Sequence, residues 1–159
     1  MIDRPSRDKL VLALRRYAAG RTTNDELESA VGNSEDRAIS AVEDMAWRLY
    51  DDMVRHRATG RHALSREMRR MLARWVVFLR TDCEYAWPSY ALRQSENALG
   101  QSMLDLFTGG RSSLKKRQEW QAFVGAGDFE VWPFLHKRDE ESARRRTSRL
   151  LPARADNGR

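Results

Sequence analysis

Few side chains in this sequence have the type and spacing that chemistry requires. Asp52 and His56 are separated by one helical turn, so they would lie on one face of a helix and could orient a general base or hold a metal ion. A solvated surface contact gives the same pattern more often. His62 and His136 have no second ligand at a metal-binding spacing. We therefore expect neither a metal site nor a cofactor.

Cys83 is the single cysteine of the chain, which excludes an internal disulfide and is typical of a reducing cytoplasm. Its neighbours Asp82 and Glu84 are acidic, and negative charge opposes formation of the thiolate that a nucleophile needs. The two carboxylates could also act as a pair, but nothing else in the sequence indicates that they face a cleft. The sequence thus favours a non-enzymatic protein, with an enzyme of unrecognised type as the last alternative.

The best candidate for a ligand site is the basic segment at residues 109–117. A glycine-rich turn that enters a Ser-capped helix offers free backbone N–H groups, and the cations that follow would attract an anion. An exposed basic loop has the same composition, since turns and caps alone select Gly and Ser, and we favour that interpretation. The candidate anion-binding residues are Ser112, Ser113, Lys115, Lys116 and Arg117.

Arg66, Arg70 and Arg74 form a second basic feature, because their spacing stacks them along one side of a helix. Such a row could follow the phosphates of a nucleic acid. Arginine rows are more often solvated or paired with acids such as Glu67.

Composition limits what the charge can mean. The chain has 159 residues and a net charge of +6, enough length for one core and too little for two domains. Residues 137–159 contain eight basic and four acidic residues, so most of the excess lies in a C-terminal tail. The nearly balanced body exerts little attraction on a phosphate backbone. There is no apolar run of about 20 residues and no secretory leader, which predicts a cytoplasmic protein with no membrane association.

The segment that should position these groups is residues 65–88. It begins as an amphipathic helix whose apolar side widens toward its end, as expected of a central helix covered on more than one side. The apolar positions are Met68, Met71, Leu72, Trp75, Val76 and Leu79.

Periodicity and caps predict the other elements. Gly20 should end the first helix, a Thr23–Glu26 capping box should open the second, and Asn33 or Ser34 should cap the third. Thr59 and Gly60 should terminate that third helix. The predicted helices besides the central one are residues 6–19, 23–31, 34–57, 90–107 (one helix or a broken pair), 112–124 and 137–149.

Two Trp-Pro dipeptides, at residues 87–88 and 132–133, should end or interrupt helices because proline disfavours α geometry in the residue before it. Both follow acidic and aromatic residues. We expect the two segments to pack together, with their indoles at the rim of the core. An aromatic residue before proline raises the chance of a cis peptide bond, although trans is the default.

Two resemblances concern larger pieces. The stretch RDKLVLALRRYAAGRTTNDELE resembles a helical hairpin common at the ends of bacterial proteins. The FLRTDxxYxWP and VWPFL segments, with Trp120 and Phe123 between them, resemble a family of small uncharacterised bacterial helical proteins. This resemblance implies one fold over nearly the whole chain up to residue 143. It implies no activity, cofactor or partner.

The sequence as a whole predicts a compact all-α single-domain bundle of five to seven helices. The core would comprise residues 1–136, and residues 137–159 would form a basic, partly disordered segment. The favoured function is a non-enzymatic intracellular interaction protein that binds another protein or itself. The alternative is a nucleic-acid or anionic-ligand binder that uses the basic loop, the arginine row and the tail.

Overall fold

The computed structural model describes residues 1–50, 53–88 and 111–150, without the side chains of Arg48, of 111–116 and of 148–150. The part so described contains α-helices and short 3₁₀ turns, with a single isolated bridge between Thr23 and Arg57 and no strand. The predicted all-α bundle is confirmed. The helices are α1 (Arg4–Ala18), α2 (Asn24–Glu28), α3 (Arg37–Ala46), α4 (Arg66–Leu79), α5 (Arg111–Val124) and α6 (Lys137–Leu150).

Helix α4 is the central element, as its apolar pattern predicts. Ser65 caps it by accepting a hydrogen bond from the backbone N–H of Met68. Its buried face packs against α1, α3 and α6, so the helix is covered on several sides. The buried residues of α4 are Leu72, Trp75, Phe78 and Leu79.

Helix α1 ends where the sequence predicts, at a glycine. Gly20 has a φ of +66°, and a Cβ at this position would lie 2.5 Å from Cγ2 of Thr59. Both the backbone angle and the close approach require glycine. The turn therefore brings the loop around residue 59 against the end of α1.

The start of α3 differs from the prediction. Its N-cap is Asp36, whose carboxylate accepts from the N–H of Ala38, rather than Asn33 or Ser34. Ser34 instead donates its hydroxyl to Asp3. The capping box at Thr23 and Glu26 is confirmed, but α2 ends at Glu28 and not at residue 31.

The predicted extent of α3 to residue 57 is wrong, since the helix ends at Ala46 and a 3₁₀ turn follows at Trp47–Leu49. Asn24 explains part of this. Its Nδ2 donates to the carbonyl of Val54 (3.2 Å), and its Oδ1 accepts from the N–H of His56 (2.8 Å). These backbone groups thus bond to α2 instead of to a helical turn. Gly60, with φ +56°, opens a second 3₁₀ turn rather than ending α3.

Two later elements meet the same core. Helix α5 begins at Arg111, so Ser112 and Ser113 lie inside its first turn and not before it. Helix α6 packs on α4 and buries Ala143 completely. The first part of the basic C-terminal segment is therefore helical and packed. The predicted helix at 90–107, and residues 151–159, lie outside the described residues.

The two Trp-Pro segments do pack together. Nε1–H of Trp87 donates to the carbonyls of Pro133 (3.1 Å) and Phe134 (3.2 Å). Nε1–H of Trp132 donates to the hydroxyl of Tyr85 (3.1 Å). Both indoles are buried in the core and not at its rim, because these bonds satisfy their polar edge inside the protein. The Trp132–Pro133 bond is cis, the alternative to the trans default.

The cap of α4 gives a first testable prediction. Replacing Ser65 with alanine removes the acceptor for the N–H of Met68, and we expect the free energy of unfolding to fall by about 1 kcal/mol. Urea titration followed by circular dichroism measures the change. Ser142→Ala is the control, since this serine lies inside α6 and donates to a carbonyl already used by the helix. An equal loss in both variants would contradict the capping role.

Candidate functional site

The side chains first considered for catalysis do not assemble in the described part of the chain. Asp52 lies outside the described residues. Asp82 and Glu84 are exposed, and Cys83 is half-buried beside them. Across residues 1–50, 53–88 and 111–150, no three His, Cys, Asp or Glu side chains are placed to hold one metal ion.

His56 instead pairs with His62, a contact that sequence spacing did not indicate. The two rings stack with centroids 4.0 Å apart. Nδ1 of His56 lies 2.8 Å from the carbonyl of Val54, and its Nε2 lies 3.5 Å from the hydroxyl of Tyr17. Nε–H of Arg61 donates to Nε2 of His62 (2.9 Å). These contacts fasten the loop after α3 to the end of α1.

A buried ion pair is the strongest polar feature of the core. Arg7 and Asp36 are both almost fully buried, and the guanidinium donates from Nε to Oδ2 (2.6 Å) and from Nη2 to Oδ1 (3.1 Å) of the carboxylate. Nη1 of the same arginine donates to the carbonyls of Thr81 and Cys83, each at 3.0 Å. Arg7 thus joins α1, the start of α3 and the loop after α4.

The spacing of the apolar residues in α1 is a sequence signal for the burial of Arg7. Arg7 lies three, seven and ten residues before Leu10, Leu14 and Tyr17, on the buried face of α1. A charged residue on that face needs a buried partner. The partner, Asp36, lies 29 residues further along the chain at the start of another helix. Helical periodicity relates only residues of one helix, so it could not identify this partner.

The ionisation of Asp36 follows from its contacts. Burial alone would raise the pKa of this carboxyl. The hydrogen bonds from Arg7, from the backbone N–H of Asp3 and from that of Ala38 outweigh burial, so the pKa lies below its ordinary value. The pair therefore stays charged at neutral pH and acts as a structural clasp.

The structure describes only part of the predicted anion-binding segment at residues 109–117. The side chains of Ser112, Ser113, Lys115 and Lys116 lie outside the described residues, and Arg117 is exposed. Whether this segment binds an anion stays a prediction.

The arginine row on α4 is divided. Arg66 and Arg70 are exposed. Arg74 is half-buried and donates from Nε to Oε1 of Glu140 on α6 (3.1 Å). Its acidic partner thus comes from another helix and not from Glu67. Only the first two arginines of the row face solvent.

One groove combines a large volume with an apolar lining. It has a volume of about 520 Å³ and lies between α4 and the 3₁₀ turn Phe129–Val131. Met45 and Met71 line it together with three aromatic rings, and two acids and two arginines stand among them. Its described lining is Met45, Glu67, Arg70, Met71, Arg74, Trp120, Phe129, Glu130 and Trp132. We call this the aromatic groove.

Contacts with neighbouring aromatic side chains hold the rings that line the aromatic groove. The ring of Trp132 meets that of Trp75 edge-to-face, with centroids 5.7 Å apart, and its Nε1–H donates to Tyr85. Burial raises the pKa of Tyr85 to about 12, so this phenol remains protonated at neutral pH. Trp120 meets Phe129 edge-to-face at 5.4 Å. The aromatic walls are therefore fixed, while unbranched Met45 and Met71 can adjust.

Helix α4, which lines this groove, and α6, which packs against α4, are both basic. Helix α4 carries four arginines and one acid, and α6 carries six basic and three acidic residues. Each helix thus has a net charge of +3, compared with +4 for α1 and +3 for α5. The two helices pack against each other, with Glu140 between Arg74 and Arg144.

A second cavity, of about 580 Å³, lies between α2 and α3. Its described lining mixes apolar side chains with the carboxylates of Glu28, Glu35 and Glu43. The two concave surfaces therefore differ in chemistry: one is acidic and mixed, the other apolar beside basic helices.

Comparison with known proteins adds no relative. No family model matches the sequence, and no match was found among curated proteins or solved structures. The resemblance to a family of small bacterial helical proteins therefore stays a prediction. Within the described residues, no helix has the length and apolar character to cross a membrane.

Proposed function

We propose that this chain is a protein-binding domain of the cytoplasm, and that the aromatic groove receives apolar side chains from a partner polypeptide. The observation that carries this proposal is the groove itself: two methionines and three aromatic rings beside solvent-accessible space of about 520 Å³. This volume is within the usual range of binding pockets, roughly 300–1,000 Å³. The partner is another protein or a second copy of the chain.

The chemistry of the lining supports a polypeptide ligand. Aromatic and methionine side chains are enriched at protein interfaces, and arginine is the charged residue most often found with them. Glu67 and Arg70 stand one helical turn apart at the edge of the groove. They can bond to the polar groups that flank an apolar anchor in a peptide.

The same lining argues against catalysis in this groove. Its described residues include no histidine, cysteine, serine or threonine. Of its two carboxylates, Glu130 is ion-paired with Lys137. A groove whose described lining lacks an imidazole, a thiol and a serine or threonine hydroxyl is suited to binding.

Binding of nucleic acid or another anionic ligand is the second candidate, favoured by the exposure of Arg66 and Arg70. The ion pair of Arg74 with Glu140 speaks against a continuous arginine row. Retention on heparin with a steep salt dependence, weakened by removal of residues 151–159 and by Arg66→Ser, would favour this candidate over the first.

Selection from a displayed library of random peptides tests the proposal. We expect the selected peptides to bind the wild-type protein and to lose at least about tenfold in affinity for Met71→Glu, because the carboxylate places a charge in the apolar groove. Leu12→Glu is the matched control, since Leu12 is 49% exposed on α1 and does not line the groove.

Circular dichroism and thermal unfolding show whether Met71→Glu remains folded. If it does not, Trp120→Ala replaces it as the groove variant, because this ring is only half-buried. Peptides that bind the groove variant and the wild type equally would contradict the proposal, as would a selection that yields no binder.

A further inference from the structure

We propose that the cavity between α2 and α3 binds a small organic ammonium ion, in which a positive amino group is attached to an apolar body. This site is separate from the aromatic groove, because the two described linings share no residue. The cavity has a volume of about 580 Å³, within the roughly 300–1,000 Å³ of ordinary ligand pockets. The proposal is carried by the combination of apolar side chains, two aromatic rings and carboxylates on one concave surface.

Part of the lining is apolar and suits the body of such a ligand. Leu10 of α1 and Leu27 of α2 are buried and line the cavity. Trp47 and Tyr50, at the 3₁₀ turn after α3, are half-buried and line it as well. The ring of Tyr50 meets that of Tyr17 edge-to-face, with centroids 5.9 Å apart. A ligand can therefore pack its carbon atoms against both aliphatic and aromatic side chains.

The charged side chains of the described lining are all carboxylates: Glu28, Glu35 and Glu43. They come from α2, from the loop before α3 and from α3 itself. Arg37, the basic residue of α3, does not line the cavity, and its Nη2 donates to the carbonyl of Trp87 (2.8 Å). The lining therefore favours an occupant with positive charge and opposes an anion.

The chain around the cavity is acidic although the protein is basic. Residues 24–46, which span α2 and α3, contain seven acidic residues and one basic residue, in a chain whose net charge is +6. Two of these acids form ion pairs with arginines from other segments, Asp25 with Arg55 and Asp36 with Arg7. The remaining five acids still outnumber the basic residue, so this part of the surface attracts cations.

The arrangement of the carboxylates favours an organic cation over a metal ion. Among the described residues, no three His, Cys, Asp or Glu side chains are placed to hold one metal ion, so Glu28, Glu35 and Glu43 do not form such a group. A divalent cation needs oxygen ligands that converge on one point. An organic ammonium ion does not, and it gains further from aromatic rings, whose faces attract cations.

Titration of the full chain, followed by the NMR signals of its backbone amides, tests the proposal. The probes are phenethylamine and tryptamine, each compared with its neutral counterpart, 2-phenylethanol or tryptophol. We expect the amines to shift the amide signals of lining residues such as Gly32 and Ser40. They should bind at least about tenfold more tightly than the alcohols, because only the amines carry a positive charge.

A pair of double variants tests the role of the carboxylates. Glu28→Gln with Glu35→Gln removes two of them from exposed positions of the lining. It should weaken amine binding about tenfold and leave binding of the alcohols unchanged. Glu84→Gln with Glu141→Gln is the matched control, since it changes the net charge equally at exposed positions outside the lining. It should leave the affinity for the amines nearly unchanged.

Several results would overturn the ammonium site. Equal affinity for amines and alcohols would do so, as would lining signals that neither amine shifts. An equal effect of the two double variants would show that only the overall charge matters. Nα-acetyl-lysinamide carries an ammonium group on a linear chain without a ring. If it bound as tightly as tryptamine, the cavity would be assigned to a lysine side chain of a polypeptide and not to a small ligand.

Discussion

Asp36→Ala is expected to lower the free energy of unfolding by about 3–5 kcal/mol, because it leaves the guanidinium of Arg7 buried without its counter-charge. The cost is a large part of the roughly 5–15 kcal/mol that stabilises a typical domain. The substitution also removes the cap of α3 and the acceptor for the N–H of Asp3. Equilibrium unfolding in urea measures the loss.

Two controls identify the cause. The double variant Arg7→Met with Asp36→Leu should be less destabilised than the sum of its single substitutions, since no unpaired charge remains. Arg145→Ala removes an exposed ion pair with Glu141 and should change stability by less than about 1 kcal/mol. A loss in Asp36→Ala no larger than in Arg145→Ala would show that the buried pair contributes little.

The same pair gives a dependence on pH. The pKa of Asp36 is lowered in the folded protein, so its contribution to stability is complete above the ordinary aspartate pKa of about 4. It is lost as the pH falls through the lowered folded value. Below about pH 4 the wild type should therefore lose stability more steeply than Asp36→Ala.

Trp87→Ala is expected to cost about 3–5 kcal/mol, the range for removing a large buried aromatic side chain. Trp87 is fully buried and contacts the rings of Phe123 and Phe129. Its Nε1–H is also the donor to the carbonyls of Pro133 and Phe134, which would lose this bond. The loss is measured by urea unfolding.

Trp87→Phe separates packing from hydrogen bonding. It keeps an aromatic ring but leaves the two carbonyls without the indole donor, so an intermediate loss is expected. Trp120→Ala, at a half-buried position, should cost less than Trp87→Ala. Equal losses at Trp87 and Trp120 would contradict the assignment of Trp87 to the centre of this cluster.

The helical fold was predictable because its signals are local. Periodicity identified the buried face of α4, and cap chemistry located Thr23 and Gly20. The end of α3 was not predictable for the same reason. An apolar pattern continues to residue 54, but the bonds from Asn24, thirty residues earlier, hold that segment outside the helix and leave Met53 85% exposed.

The aromatic groove was harder to predict from the sequence than the helices were. The sequence placed Met71 on the apolar side of α4 and Arg70 in the arginine row, yet both line one groove, which exists only where Phe129 and Trp132 meet that helix. The contact of the two Trp-Pro segments was expected from composition. The burial of both indoles in the core was not expected. It depends on hydrogen-bond acceptors for the two Nε1–H groups, which only the tertiary structure brings into place.

Methyl NMR of the methionine-labelled protein tests most directly whether the aromatic groove binds a polypeptide. The chain has six methionines, and two of them, Met45 and Met71, line the groove. On addition of a selected peptide, we predict large shifts of these two methyl signals and none for Met1 and Met53, which are exposed elsewhere. Shifts confined to Met1 or Met53, or an unchanged spectrum with the peptide bound, would contradict the account.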